Sequence, residues 1–268
     1  KLINTWWKNP DIPMELTQAD VVSFTKKGNT TKLESYRPIS LLNAFYKIYA
    51  GIIKDGLEQA IDGLLHNTQY GFRTQRGTTD ALHCIHRVQE YAEQNQDNLL
   101  LALLDWEKAF DKIDHDEMWT ALEEIGIPEE YITSIKALYK NPQFRVKEQG
   151  HESEWWKQET GNDKVAPITI PIHHNHIRTV PKNTIRDKTK TIDKRTKNAN
   201  FNEVLYADDT ILASTTGAAL TKYLHLIEEE SGKIGLKLNY GKCKLLTTNP
   251  RMQVKIKSGT KMQPVNEA

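Results

Sequence analysis

Apolar residues recur at helical spacing through residues 40–63, SLLNAFYKIYAGIIKDGLEQAIDG, and the pattern stops at Gly63. That spacing predicts an amphipathic helix. Residues 78–95 predict a second helix, with Thr78, Thr79 and Asp80 as its N-terminal cap region. The run NLLLALLDW (98–106) is continuously apolar, of strand length, and closed by Asp105. Such a run suits a strand covered on both faces. Two further helices are predicted over 115–124 and 129–140, broken by GIP at 126–128. Residues 201–214 form another short apolar strand segment carrying acids, and 216–234 another amphipathic helix. Strands and helices alternate irregularly, which places the chain in the α+β or α/β class. Residues 162–200, with three prolines, three histidines and many Lys and Arg, lack the periodicity of their neighbours and read as loop or disorder.

Composition changes this picture little. Lys and Arg total 36 against 35 Asp and Glu, so any nucleic-acid partner has to be recognised by local patches rather than by net charge. Cys84 and Cys243 are far apart with no metal-ligand spacing, and they read as reduced thiols of an intracellular protein. No run approaches the roughly 20 apolar residues of a membrane span, and no signal peptide is present. The chain opens on Lys1 in mid-segment and reads as a piece of something longer.

The chemistry lies in the acids. LYADDTILAS (205–214) sets Asp208 and Asp209 in a turn between two apolar half-strands, and Asp105 closes another strand. If the strands are neighbours, three carboxylates converge at one end of a sheet. Carboxylates suit hard cations, and Mg²⁺ is typically held by one or two of them plus substrate phosphates. Two such ions stabilise the attacking and leaving oxygens of an in-line phosphoryl transfer. On spacing alone, a polar hairpin tip and a strand-end turn explain the same acids.

Five ordered motifs favour the chemical reading. LLDWEKAFDKIDH (103–115) and LYADD (205–209) resemble motifs A and C of reverse transcriptases. YRPISLLNAFYKI (36–48), QYGFRTQRGTTDAL (69–82) and GLKLNYGKCK (235–244) resemble, in order, the flanking motifs of the LINE-type, non-LTR retrotransposon branch. The resemblance implies an α+β right-hand polymerase fold. Fingers and N-terminal palm helices would occupy 1–98, and a palm with a ferredoxin-like sheet 99–250. Residues 251–268 would form a truncated tail, with the thumb, endonuclease and C-terminal nucleic-acid-binding regions missing. It also implies RNA-directed DNA synthesis with two Mg²⁺ ions, or Mn²⁺ in their place. The partners would be an RNA template, a DNA primer and dNTP, with no membrane, in an intracellular setting of nucleus or cytoplasm.

Residue by residue, the resemblance implies that Asp105 and Asp208 bind metal, with Asp209 the companion acid. Phe110 matches the steric gate against a ribose 2′-hydroxyl, and the backbone from Trp106 to Ala109 would face the triphosphate. Arg37, with Lys26 or Lys27, matches the fingers cations that grip phosphate. Lys242 matches the motif D lysine, a general acid to pyrophosphate. Without the family, Lys26 and Lys27 read as a solvated loop and Phe110 as core. Tyr70 and Phe72 divide evenly between packing and base stacking, and Trp6–Trp7 and Trp155–Trp156 read as core or interface.

One family motif, approximately RQGCPLSPYLFII, is absent between motifs A and C, where NDKVAPITIPIHHNH (162–176) stands instead. Reverse translation recovers it. Codons for residues 162–166, less two bases, can spell Arg-Gln-Gly-Cys-Pro, and those for 166–175, shifted by one base, can spell Pro-Leu-Ser-Pro-Tyr-Leu-Phe-Ile-Ile-Ile. The segment 162–183 therefore reads as frameshifted, and His173, His174 and His176 as displaced isoleucine codons rather than a metal site. Two rivals to the polymerase remain. One is a non-catalytic remnant that at most binds nucleic acid. The other is a carboxylate-metal nuclease, which leaves Arg37, Phe110 and Lys242 unexplained.

Overall fold

The structure, a computed structural model, describes residues 1–25, 31, 35–63, 65, 67–107, 115–124, 126–158, 203–207, 209–233, 236–257, 259–262 and 264–265. The chain starts with short helices α1 (Leu2–Lys8) and α2 (Met14–Thr17), strands β1 (Gln18–Thr25) and β2 (Tyr36–Leu42), and helices α3 (Ala44–Asp62) and α4 (Thr78–Gln94). Strand β3 (Leu100–Leu104) leads to α5 (His115–Glu124) and α6 (Glu129–Leu138), then to β4 (Gln143–Glu148), β5 (His151–Glu152) and β6 (Trp156–Lys157). The hairpin β7 (Glu203–Tyr206) and β8 (Asp209–Ser214), helix α7 (Gly217–Lys233) and strand β9 (Lys244–Thr247) follow.

These strands make two sheets. The first runs β2-β1-β4-β5, with β6 also pairing β4, and the second runs β7-β8-β3-β9. Residues 143–157, expected above in the palm, hydrogen-bond into the sheet of β1 and β2, so the sheets do not follow a division of the chain at 98/99. Helix α3 starts four residues later than the periodicity suggests. The backbone of Ser40–Leu42 pairs with Ala19–Val21 of β1, and the Asn43 side chain then accepts from the Phe45 N–H at 2.9 Å to cap the helix. At α4 the cap is reciprocal to the expected one: Asp80 accepts from the Gly77 N–H at 2.7 Å.

The apolar run of β3 is covered on both faces. Leu100, Ala102 and Leu104 pack with Leu220, Leu224 and Ile227 of α7, whereas Leu99 and Leu101 pack with Val88 and Ala92 of α4. A fully buried leucine of this kind contributes about 2 kcal/mol. This double cover fixes the register of β3 and, with it, the place where Asp105 emerges. A separate core joins Tyr49, Ile53 and Leu57 of α3 to Met118 and Leu122 of α5 and Ile135 and Leu138 of α6. Among the described residues, no helix is long and apolar enough to cross a membrane.

Arg73 ties the segment after α3 to that helix. Its side chain is 3% exposed. Nε donates to Asp62 Oδ1 at 2.7 Å, one terminal nitrogen to the Asp62 carbonyl at 2.9 Å, and the other to the Gln69 carbonyl at 3.4 Å. The Arg73 hydrogen bond holds the Asp62 carboxyl below its ordinary range. Arg73→Ala is expected to cost about 2 kcal/mol, the loss of charge-assisted bonds to a half-exposed carboxylate. Because the folded pKa of Asp62 is lowered, its contribution is present above the unfolded pKa and disappears as pH falls through the folded one. Urea denaturation of the two proteins at neutral pH and at pH about 3 should therefore show the gap narrowing on the acid side. An equal gap at both would place the effect in packing alone.

Candidate active site at the carboxyl end of β3

Asp105 is the first residue beyond β3, where the ladder to β9 ends at Leu103↔Lys244. Its backbone is nevertheless fully engaged. The Asp105 N–H donates to Cys243 Sγ at 3.4 Å, and its carbonyl accepts from the Asn239 N–H at 2.8 Å and from the Cys243 thiol at 3.8 Å. Burial pushes the Cys243 thiol above its ordinary pKa, so it stays protonated and able to both donate and accept. One residue on, the Trp106 indole N–H donates to Thr210 Oγ1 at 3.3 Å, both groups being buried. The Glu107 N–H donates to the Lys237 carbonyl at 2.8 Å. Lys242, on a turn whose N–H donates to Asn239, brings Nζ to 3.5 Å from Asp105 Oδ1. That oxygen is out of water, and among the described residues it has no hydrogen-bond partner.

The neighbouring hairpin supplies the second acid. Tyr206 pairs with Asp209 across the β7–β8 turn, and Ala207 takes a left-handed φ of 55° there. Asp209 directly precedes Thr210, which pairs with Leu104, so Asp105 and Asp209 leave adjacent strands at the same end of the sheet. Asp209 is exposed; among the described residues of this hairpin the buried carboxylate is Glu203, which accepts from Thr68 Oγ1 at 3.4 Å and from the Tyr223 hydroxyl. The 68–71 segment is added alongside β7: the Leu205 N–H donates to the Thr68 carbonyl at 2.9 Å and the Tyr70 N–H to the Leu205 carbonyl at 2.8 Å. This brings Gly71 onto the turn. A Cβ there would lie 2.2 Å from the Ala207 nitrogen and 3.0 Å from its Cα.

The structure thus gathers Asp105, Trp106, Asp209 and Lys242 at one strand end. Trp106 offers the site its backbone only, since its side chain belongs to the core beside Leu238 and Leu245. Arg37 is on β2, the edge of the other sheet, with its side chain exposed. Asp208, Lys26, Lys27, Phe110 and the segment 162–183, expected to be frameshifted, lie outside the described residues. Tyr70 packs against Ala81, Cys84 and Val204, and burial pushes its hydroxyl up to about 12. Phe72 is exposed. Among the described residues, no three His, Cys, Asp or Glu side chains form a metal cluster. Sequence reasoning gave no role to Gly71 or Thr210 and read Cys243 only as a reduced thiol; their one signal is adjacency to the motif residues.

The fold is shared with a known class. The apo telomerase of Candida tropicalis, truncated from its C-terminal domain, superposes with a TM-score of 0.59 at 11% identity, over 90% of this chain and 53% of that one. The architecture is accordingly the right-hand polymerase fold. Within that class, the profile of the reverse transcriptase (RNA-dependent DNA polymerase) family matches residues 24–264, and the chain belongs to this family. It is similar to the RNA-directed DNA polymerase from mobile element jockey of Drosophila melanogaster, 26% identical over 249 residues, 88% of this chain and 26% of the relative. It is also similar to the Pol polyprotein from type-2 retrotransposable element R2DM of the same species, 24% identical over 237 residues, 87% of this chain and 22% of the relative. The domain is of the LINE, non-LTR retrotransposon type, and it spans about a quarter of the length of these relatives.

Proposed function

We propose that this domain is the nucleotidyl-transfer core of RNA-templated DNA synthesis. The carrying observation is the meeting of Asp105, Asp209 and Lys242 at the end of two paired strands. Asp105 Oδ1, buried, ion-paired with Lys242 and without a hydrogen bond among the described residues, is the kind of acceptor a hard cation needs, so the residues present fit Mg²⁺. Asp105 and Asp208 would hold the ions, with Asp209 beside them. When bound, such ions neutralise charge on the attacking primer oxygen and on the leaving pyrophosphate.

The chain's own groups do the rest. Asp105 is held by its backbone on the β9 side, so its carboxylate is presented without reorganisation. Lys242 is 67% exposed on its turn, free to leave Asp105 and deliver a proton to the leaving group. Arg37, Lys26 and Lys27 would grip the incoming triphosphate. Phe110 would close the space beside C2′ and exclude ribonucleotides. The template RNA, DNA primer and dNTP are the partners this chemistry requires.

Primer extension on an RNA template, in a version with 162–176 restored to the family motif, tests both parts. DNA synthesis should require Mg²⁺, and Phe110→Val should raise ribonucleotide incorporation about tenfold, the size of a lost steric contact. No template-directed product would remove the polymerase reading. One observation favours a second reading, a remnant that keeps the fold and at most binds nucleic acid: NDKVAPITIPIHHNH stands at 162–176 in place of the RQGCPLSPYLFII-type motif.

A further inference from the structure

Asp105 and Trp106 are adjacent, and besides the backbone bridge that Asp105 and Glu107 make to residues 237–239, each is bonded to a different flank by one side chain. On one flank the Cys243 thiol takes the place of the carbonyl that a continuing β9 ladder would supply. The last pair of the ladder is Leu103↔Lys244; beyond it the Cys243 N–H donates to the Asn239 carbonyl at 3.1 Å, and the Asp105 N–H donates to the Cys243 sulfur at 3.4 Å. On the other flank Thr210 Oγ1 accepts the buried Trp106 indole N–H at 3.3 Å. A buried donor rarely stays unpaired, so this bond selects the orientation of the ring and of the backbone that carries it. Cys243 follows Lys242 in sequence and Thr210 follows Asp209. Each fastening therefore joins the Asp105–Trp106 dipeptide to the residue next to another member of the site.

We propose that Thr210 and Cys243 are positioning residues that set the Asp105 carboxylate relative to Asp209 on one side and Lys242 on the other. Neither side chain needs to touch substrate or ion. Their effect is transmitted through backbone held on two sides, as outer partners of a ligand hold its geometry. The inference rests on Asp105 being a cation ligand, as proposed above.

The test is Mn²⁺ binding to the chain as given, followed by electron paramagnetic resonance, with thermal unfolding recorded alongside. Asp105→Asn serves as the reference for site-specific binding. Thr210→Val keeps shape and removes the acceptor, and Cys243→Ala removes the sulfur. Each is expected to weaken Asp105-dependent Mn²⁺ binding about tenfold. Thr210→Ser and Cys243→Ser keep a hydroxyl at the bonding position and are expected to restore affinity to within about twofold. Wild-type affinity in both the Val and Ala variants overturns the positioning roles while leaving the metal site intact. The same outcome follows if affinity falls only in proportion to lost folded protein, or if the Ser variants fail to recover. If wild-type protein shows no Mn²⁺ binding that Asp105→Asn removes, the polymerase reading fails, and this inference with it.

Discussion

Gly71→Val is expected to abolish primer extension by the frame-restored domain, a loss of about 10³-fold or more, with Gly71→Ala intermediate at about 10²-fold. Even the first carbon of any side chain at this position would sit 2.2 Å from the Ala207 nitrogen and 3.1 Å from the Tyr206 carbonyl carbon. Those neighbours are backbone and cannot rotate aside. Either the Tyr206–Ala207 turn moves or the 68–71 segment separates from β7. Ala207 is already left-handed at φ 55°, a conformation a non-glycine residue holds only when its surroundings insist on it. Displacing the turn displaces Asp208, the next residue, and a misplacement of about 1 Å costs about 10²-fold. Separation of the segment also gives up the hydrogen bonds of Leu205 to Thr68 and Tyr70, so Tm should fall as well. The measurement pairs single-turnover extension with thermal unfolding. Wild-type rates from the valine variant would show that the turn tolerates the push and that Gly71 is there only for chain flexibility.

The contrast between the two sheets explains what was legible in the sequence. The second sheet could be read because β3 is buried on both faces, which leaves a continuous apolar run, and because α4 and α7 carry clean helical spacing against it. The acids stand out against that background. The first sheet could not be read. β2 alternates around exposed Ile39 and Leu41, and β4 is half-buried from Gln143 to Lys147, with Arg145 and Lys147 paired to Asp20 and Glu152. Side chains on such strands are chosen by cross-strand partners that only the fold reveals. For the same reason the periodicity carried the third helix back into residues 40–42, where apolar side chains serve a strand. At the site, the acids stand out by charge, because charge beside buried strands is costly without a purpose, whereas Lys242, exposed on its turn, was legible only through its match to the family motif. Gly71, Thr210 and Cys243 are ordinary residues in composition. Their roles come from distances of 2.2, 3.3 and 3.4 Å to chain segments far away in sequence.

The chain as given is expected to show little or no polymerase activity, and restoration of residues 162–176 to the RQGCPLSPYLFII-type sequence is expected to confer it. The acids and Lys242 supply charge and a proton, but transfer also requires template base and dNTP to be held in near-attack geometry. In the family that task falls to a glycine turn and helix between motifs A and C. Here Pro167, Pro171 and Pro181 stand in that interval. A proline inside a helix removes a backbone hydrogen bond and clashes with the preceding turn, at a cost of about 3 kcal/mol, so three of them forbid one continuous helix. His173, His174 and His176 stand where the family motif carries apolar residues, which takes away the face that a nucleotide-side helix would pack beneath itself. Replacement of 162–176 exchanges His173, His174 and His176 for apolar residues and puts the family's own turn sequence in place of the stretch with Pro167 and Pro171. Primer extension with the two proteins side by side, each with its Asp105→Asn control, decides the matter. Synthesis in the restored protein alone, lost with Asp105→Asn, is the expected result, accompanied by a higher Tm. Equal and robust synthesis by both proteins would mean that the 162–176 segment takes no part in holding the nucleotide and that its departure from the family motif is no impediment to activity.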